Sequence, residues 1–310
     1  VLMGGATGRI GDPSGKDKER ELKTEAELDR NLSFQQQQFL KYLEFDQGEN
    51  KAIFENNYDF YKEMNVLEFL RKVGKHLTVN YMLSKDSVQK RLETGISFTE
   101  FSYQLLQGYD YYCLYQKYGC SLQMGGSDQW GNITAGTEYI RRNTDHAQVH
   151  ALTSPLLTKS DGKKFGKSED GNIWLDPNLT SPYKFYQFWI NADDQDVPKF
   201  LRTFSLKSHE EILNLETELA SNPQQVKKVL AEEMTRRIHS DEAFEAAMQV
   251  SELLFNPKVN IDFLKSLTTD QFDTISGELP SFSISKSVLE GAVIVDVLAE
   301  HVSICASKSE

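Results

Sequence analysis

The feature that most constrains this chain is a short apolar segment that runs through a glycine pair into a helical pattern. Residues 120–124 have the composition of a strand, residues 125–129 form a glycine-containing turn, and residues 132–142 have helical periodicity. This succession is typical of α/β folds, which bind ligands at the carboxyl ends of their strands. It predicts an α/β domain with a candidate site at residues 125–129. The alternative is an ordinary turn in which Asp128 caps the helix.

Beyond about residue 180 the pattern changes to one helix after another, with the capping-box sequence Ser208-x-x-Glu211 and with Asn222 before Pro223. The 310 residues also exceed what one compact core usually supports. We therefore predict a second domain that is α-helical. The predicted division is an α/β domain, an α-helical domain and a connecting segment: residues 1–180, 181–255 and 256–310.

A long helix is predicted to begin after Ser97, at a capping-box sequence, and to end near Gly119. Three of its polar residues share one face because they are spaced at i, i+4 and i+7: Tyr103, Gln107 and Asp110. One interpretation is an amphipathic helix with this face in solvent. The other is a site for a small polar ligand, because Lys and Glu usually fill solvated helix faces.

Two further segments have residue types suited to phosphate chemistry. Residues 4–16 form a glycine-rich loop after a strand end, where backbone N–H groups can approach a phosphate. This loop is not a Walker motif, because Ile10 and Asp17 stand where a glycine and a Ser or Thr are required. Residues 164–168 carry two lysines, which can stabilise charge on a leaving pyrophosphate. A structural glycine turn and a solvated basic loop are the alternatives.

Composition excludes several classes of protein. The net charge of −12 would repel a polyanion at long range, so a nucleic-acid partner must meet local basic patches. The three cysteines form no metal-like pair, no histidine spacing fits a zinc site, and no Ser/His/Asp set is readable. No apolar run is long enough to span a membrane, and the first residues do not have the regions of a signal peptide. We expect a cytoplasmic protein without a membrane partner.

Together, in this order and spacing, the motifs resemble those of bacterial-type tyrosyl-tRNA synthetases, which are class I aminoacyl-tRNA synthetases. The resemblance runs over nearly the entire chain, in six segments: residues 4–16, 56–59, 94–102, 125–134, 164–168 and 183–189. Residues 164–168 are similar to the family's second signature, KMSKS, with Phe-Gly in place of Met-Ser. The joint match is far more specific than any single motif.

The resemblance implies a Rossmann-like catalytic domain followed by an α-helical anticodon-binding domain. It implies a tyrosine-tRNA ligase, which activates L-tyrosine with ATP to tyrosyl-adenylate and transfers it to the 3′ end of tRNA(Tyr). Mg²⁺ is expected with ATP, and no tightly bound metal is expected. The resemblance also implies a homodimer with Phe98 near the contact.

Site residues follow from the resemblance where the motifs match. Those implied to contact tyrosine are Tyr103, Gln107, Asp110, Asp12, Gln123 and Gln129. Those implied to contact ATP are Gly126, Asp128, Lys164, Lys167 and Ser168. The catalytic cations would be Lys16, Arg20, Lys164 and Lys167. Among these, Asp110 would accept the hydrogen bond of the substrate phenol, and Tyr103 and Gln107 would receive the substrate ammonium.

One departure from the family pattern bears on activity. The family's first signature, an HIGH-type sequence that holds ATP, should precede the Gly4 loop, where only three residues stand. We therefore expect a fragment without the HIGH-containing segment and the C-terminal RNA-binding domain, inactive by itself. The alternative is a non-catalytic RNA-binding or scaffolding derivative of the same family. The related tryptophan enzyme is disfavoured by the pattern of Tyr103, Gln107 and Asp110.

Overall fold

The structure is a computed structural model. It describes residues 1–14, 21–93, 95–145, 147–162, 165–168, 171–278, 282–289 and 291–302. The chain divides into two compact units, Val1–Leu157 and Thr158–Glu310. The predicted boundary at residue 180 marks the end of the catalytic domain. The division of the chain into two compact units does not test where catalytic function ends.

The first unit combines short parallel strand pairs with helices. Its strands β1 to β4 are Leu2–Met3, Glu55–Asn56, Leu122–Gly126 and His150–Ser154. Its helices α1 to α7 are Glu25–Tyr42, Tyr58–Tyr61, Val66–Lys72, Val79–Leu83, Asp86–Leu92, Phe98–Tyr118 and Trp130–Asn143. Strand β1 pairs with β2 and β3 pairs with β4, both in parallel. The predicted α/β class and the predicted strand, turn and helix after residue 120 are confirmed.

Helix α6 begins and ends where the sequence predicts. The Ser97 hydroxyl accepts a hydrogen bond from the Glu100 N–H at 3.2 Å, and Gly119 ends the helix with a left-handed φ of 66°. The expected capping box is only half formed. The reason is that the Glu100 carboxylate is buried and binds the Arg91 guanidinium at 2.9 Å instead of its own helix start.

The helical pattern predicted for residues 64–83 is interrupted. It gives α3, a 3₁₀ turn at Gly74–His76, and α4, which begins after the N-cap Thr78. Val73 is fully buried, whereas Leu67 and Leu70, at the same spacing, are exposed. Leu67, Leu70 and Val73 therefore do not form one helix face that packs against the core.

Helices α6 and α7 approach closely because each has a glycine at the contact. A Cβ on Gly108 would lie 3.4 Å from the backbone of Ala135, and one on Gly136 would lie 2.7 Å from the Tyr111 ring. Tyr111 is fully buried, so its ring has no room to move aside. Close packing of these helices sets the position of the polar face of α6.

We expect Gly136→Ala to lower the free energy of unfolding by about 1–3 kcal/mol, because the added methyl group overlaps Tyr111. Urea unfolding measures the change. Gly277→Ala, where nothing lies within 4 Å of the added Cβ, is the matched control and should not destabilise the protein. Equal stabilities of the Gly136 variant and the wild type would contradict close packing at this point.

Among its described residues, the second unit has helices and a short antiparallel strand pair, β5, Lys167–Ser168, and β6, Gly171–Asn172. Its helices α8 to α16 are Pro182–Ile190, Val197–Phe204, His209–Leu219, Pro223–Ile238, Asp241–Phe255, Ile261–Ser266, Thr269–Glu278, Lys286–Leu289 and Ile294–Asp296. A π-helical turn follows at Val297–His301. Helices therefore also occur within the predicted connecting segment, and α14 packs against α12.

Helices α8, α11 and α12 form the centre of the second unit. Phe185 and Trp189 of α8 are buried, and so is Leu230 of α11. The capping box predicted at Ser208 is complete, with both reciprocal hydrogen bonds to Glu211 present. No helix in the described residues is long and apolar enough to cross a membrane.

Candidate active site

Asp110 lies inside the first unit, on the face of α6 that the sequence singled out. Its side chain is only 1% exposed. Tyr61 of α2 donates from its hydroxyl to Asp110 Oδ1 at 2.7 Å, and Asn57 donates from Nδ2 to Asp110 Oδ2 at 2.9 Å. The interpretation of this face as solvated is therefore wrong at Asp110, because tertiary packing covers it.

Burial sets the charge state of this carboxyl group. Removal from water raises the pKa of Asp110 to about 6, and the hydrogen bonds from Asn57 and Tyr61 partly offset that rise. The group is therefore an ionised acceptor at neutral pH and takes up a proton in mildly acidic solution. A buried carboxylate can bind a ligand hydroxyl strongly because little water competes for it.

Asn57 joins Asp110 to the glycine-rich loop. Its side chain is buried, donates to Thr7 Oγ1 at 3.0 Å and accepts from the Ala6 N–H at 2.7 Å. Sequence reasoning quoted residues 56–59 as a matching segment but did not select Asn57 or Tyr61 as site residues. Asn57 directly follows β2 and Tyr61 ends α2, and no further sequence signal marked them because their partners are distant along the chain.

Asp12 connects the glycine-rich loop to the turn after β3. It accepts from Gln129 Nε2 at 2.6 Å, from Asn132 Nδ2 at 3.2 Å and from the Ser14 N–H at 2.9 Å. Gln129 lies 117 positions along the chain from Asp12. The two motifs that the sequence placed in one site therefore do meet, and Asn132 joins them.

A cavity of about 420 Å³ lies beside this network. Both Asp12 and Tyr103 line it, together with the glycine-rich loop at Gly4, Gly8 and Gly11. Tyr103 and Gln107 are half-buried on α6, on the same face as Asp110. The cavity thus has a carboxylate and a phenol at its wall, which suit a ligand with a cationic or hydroxyl group.

Three other residues that were predicted to belong to the site lie on β3 and on the turn that follows it. Gln123 is half-buried, and its Oε1 is a buried atom without a hydrogen-bond partner among the described residues. Gly126 ends β3. Asp128 lines a separate cavity of about 760 Å³ with Lys85 and Lys90. The structure therefore does not bring Asp128 into the cavity beside Asp12.

The predicted cations are described only in part. Lys16, Arg20 and Lys164 lie outside the described residues. Lys167 and Ser168 form strand β5, of which the backbone is described. The roles assigned to these residues stay predictions.

Comparison with known proteins identifies the family. The profile of the class I tRNA synthetases (W and Y) matches residues 1–256. The chain belongs to this family. A tyrosine–tRNA ligase of Cytophaga hutchinsonii is 54% identical over 302 residues, which cover 96% of the chain and 70% of that protein. The tyrosine–tRNA ligase of Porphyromonas gingivalis is 51% identical over 318 residues, which cover 100% of the chain and 74% of that protein.

Solved structures of the family have the same fold. A C-terminally truncated mitochondrial tyrosyl-tRNA synthetase of Aspergillus nidulans matches with a TM-score of 0.68 and 29% identity, over 82% of this chain and 76% of that one. A tryptophanyl-tRNA synthetase of Giardia lamblia matches with a TM-score of 0.54 and 13% identity, over 87% of this chain and 73% of that one. The second likeness shows the fold alone. The predicted family and class I synthetase fold are confirmed.

Proposed function

We propose that this chain is the tyrosine-activating and tRNA-contacting part of a tyrosine–tRNA ligase. The names of relatives at 50% identity or more support this activity. The observation that carries it within the structure is Asp110, a buried carboxylate on a helix face shared with Tyr103 and Gln107. A site with a carboxylate held away from water favours a substrate that brings a hydroxyl donor to it.

In the activation step, a carboxylate oxygen of tyrosine attacks the α-phosphorus of ATP. A bond forms between that oxygen and phosphorus, the bond to the bridging oxygen breaks, and pyrophosphate leaves with the electron pair. In the transfer step, a ribose hydroxyl at the 3′ end of tRNA attacks the carbonyl carbon of tyrosyl-adenylate. The bond between that carbon and the phosphate oxygen breaks, and AMP leaves and takes up the hydroxyl proton. Neither step needs a covalent enzyme intermediate, so orientation and electrostatics carry the catalysis.

The residue roles proposed for the substrate groups are those that the resemblance to the family implies. Asp110 accepts from the tyrosine phenol, and Asp12, Tyr103, Gln107, Gln123 and Gln129 surround the ammonium and the rest of the amino acid. Gly126, Asp128 and Ser168 contact ATP. Lys16, Arg20, Lys164 and Lys167 stabilise the charge that develops on pyrophosphate. Mg²⁺ would accompany ATP and would neutralise part of the charge on its phosphates.

Tyrosine activation and tRNA binding are assigned to different parts of the chain. We assign activation to residues 1–180, contact with the anticodon of tRNA(Tyr) to residues 181–255, and a connecting role to residues 256–310. The cytoplasm, where tRNA and ATP are present, is the proposed location.

The direct test is ATP–pyrophosphate exchange by the full-length protein with each of the twenty amino acids. We expect exchange with tyrosine and much slower exchange with phenylalanine or tryptophan. Exchange with tryptophan alone would replace the proposed substrate. Tight tRNA binding without exchange would favour a non-catalytic derivative of the family.

Acidic solution should weaken tyrosine use through Asp110. Its pKa of about 6 means that roughly nine-tenths of the groups are protonated at pH 5, so kcat/KM for tyrosine should fall about tenfold between pH 7.5 and 5. Tyr61→Phe removes a hydrogen bond that lowers this pKa and should move the midpoint to higher pH. A pH profile of kcat/KM measures both changes.

Protein stability should respond to pH in the opposite direction to kcat/KM for tyrosine. A loss of tyrosine use in acid can therefore be distinguished from acid unfolding. Because the pKa of Asp110 is raised in the folded state, its contribution to stability is greatest below 3.8, its ordinary value, and is lost as pH rises through about 6. Tyrosine use that is equal at pH 5 and 7.5 would contradict the role of Asp110 as an ionised acceptor.

A homodimer is proposed from the apolar surface of the first unit. Large apolar side chains are exposed on α3, at the start of α4 and at the start of α6: Val66, Leu67, Leu70, Val79 and Phe98. Phe98 is 75% exposed. A second copy of the chain would remove such side chains from water.

We expect Phe98→Asp to raise the dimer dissociation constant more than tenfold, because a buried Phe contributes about 1.5–3 kcal/mol and a buried aspartate lacks a partner. Sedimentation of the full-length protein measures the constant. Phe255→Asp, at a position 69% exposed in the second unit, is the control and should leave the dimer intact. Equal dissociation constants for the two variants would contradict a contact at Phe98.

A further inference from the structure

Asn132 lies where three segments of the first unit meet: the glycine-rich loop, the turn after β3 and the first turn of α7. We propose that Asn132 is a positioning residue, whose side-chain amide orients the Asp12 carboxylate and the Gln129 amide for the ammonium end of tyrosine. The proposal rests on the proposed function, which assigns tyrosine binding to Asp12 and Gln129. Its structural part, that Asn132 joins the loop to α7, is tested separately.

The side-chain nitrogen of Asn132 faces three acceptors. Nδ2 lies 3.2 Å from each of three oxygen atoms: Asp12 Oδ1, Ser14 Oγ and Gln129 Oε1. Asn132 is fully buried, so water competes little for these hydrogen bonds. An amide nitrogen carries two hydrogens, which suits a position surrounded by acceptors. The reverse orientation of the amide would place its oxygen against a carboxylate and a carbonyl, so these neighbours fix which atom faces them.

The side chains of Asp12, Gln129 and Asn132 form a closed ring of hydrogen bonds. Asp12 Oδ2 accepts from Gln129 Nε2 at 2.6 Å, while Asp12 Oδ1 and Gln129 Oε1 both accept from Asn132. Because an ionised carboxylate can only accept hydrogen bonds, its two oxygens dictate the orientation of both amides. Without Asn132, Asp12 and Gln129 would be bonded only to each other within the ring, so the pair could turn as a unit.

The oxygen of the same amide shows that this arrangement has a cost in stability. Asn132 Oδ1 is a buried atom without a hydrogen-bond partner among the described residues. A buried polar atom that has lost its water without gaining a partner opposes folding. An apolar residue at this position would avoid that cost. The asparagine is therefore explained by what its Nδ2 holds in place and not by the space that the side chain fills.

Asp12 connects the ring to the cavity of about 420 Å³. Asp12 is half-buried and lines that cavity together with Tyr103, whereas Asn132 is fully buried and acts through Asp12. A carboxylate that is hydrogen-bonded on both oxygens presents a fixed direction to a cationic ligand group. We therefore expect Asn132 to affect binding of the tyrosine ammonium and not of the phenol, which is assigned to Asp110.

The test compares two ligands that differ by the ammonium group, on variants of the full-length protein. L-Tyrosine has this group, whereas 3-(4-hydroxyphenyl)propanoate lacks it and keeps the phenol and the carboxylate. Titration measures the affinity for tyrosine, and competition with tyrosine measures the affinity for the analogue. Hydrogen exchange of residues 4–14, followed by mass spectrometry, reports whether the loop stays joined to α7.

The variants are Asn132→Ala and Asn132→Thr, and Asn143→Ala is the matched control. Asn143 is the last residue of the same helix, and its side chain donates to the Tyr139 carbonyl at 2.8 Å. The control therefore removes the same side chain and a hydrogen bond of similar kind, away from Asp12. Binding of the analogue also shows that each variant is folded.

We expect Asn132→Ala to weaken tyrosine binding at least tenfold and analogue binding less than twofold, because only tyrosine brings a cation to the oriented carboxylate. Exchange in residues 4–14 should become at least threefold faster. Asn132→Thr, which keeps one hydroxyl donor, should lose less tyrosine affinity than Asn132→Ala. Asn143→Ala should change neither affinity nor exchange in the loop.

Each contrary outcome has a distinct meaning. Equal losses of affinity for tyrosine and for the analogue would overturn the positioning role, and so would unchanged tyrosine affinity in both Asn132 variants, while the proposed function stands. Unchanged hydrogen exchange in residues 4–14 would overturn the joining of the loop to α7. A wild-type protein that does not bind tyrosine would overturn the proposed function and the positioning role together, whereas the exchange result would still decide the joining.

Discussion

Asp110→Ala is expected to lower the ratio of kcat/KM for tyrosine to that for phenylalanine at least tenfold. Phenylalanine lacks the hydroxyl that is proposed to donate to the Asp110 carboxylate, and a buried acceptor without its donor costs about 1–3 kcal/mol, or more when it is charged. The carboxylate is almost fully buried, so water does not replace the missing donor. Steady-state kinetics with both amino acids measure the ratio.

Two further variants make this test specific. Asp110→Ala also removes one acceptor from Tyr61 and one from Asn57, so the less disruptive Asp110→Asn should lower the ratio by a smaller factor while the fold is retained. Asp176→Ala removes a carboxylate of the second unit that accepts from the Asn178 backbone and should leave the ratio unchanged. A ratio that survives both Asp110 substitutions would refute this source of specificity without affecting the family assignment.

Lys164→Ala and Lys167→Ala are each expected to slow adenylate formation about a hundredfold, which is the usual effect of removing one group that stabilises transition-state charge. Tyrosine affinity should stay within twofold, because these lysines are assigned to phosphates and not to the amino acid. Rapid-quench kinetics measure the rate, and a separate titration measures tyrosine binding.

The control for the lysine variants is Lys228→Ala, which removes an exposed lysine of α11. It should change neither the rate nor the affinity. Lost tyrosine affinity with an unchanged rate in the Lys164 or Lys167 variant would remove these residues from phosphate chemistry. The pair of measurements thus separates binding from transition-state stabilisation.

The sequence by itself determined features that depend on neighbouring residues. The start of α6 at Ser97 and its end at Gly119 follow from local capping, because both signals act within one turn of helix. The helical repeat then places Tyr103, Gln107 and Asp110 on one face whatever surrounds the helix. The strand, glycine turn and helix from residue 120 onward also depend on neighbouring residues alone. The α/β class could therefore be predicted from the sequence.

Only the tertiary structure decided which partners those residues have. The hydrogen-bond donors to Asp110 lie 49 and 53 positions away, at Tyr61 and Asn57, and no local pattern links such distant positions. The pairing of Asp12 with Gln129 and the insertion of Phe165 among rings of α8 and α9 are likewise products of packing. A side chain's burial and its pKa depend on all the surrounding elements at once, which is why a polar helix face that could equally have faced solvent is buried at Asp110 and half-buried at Tyr103 and Gln107.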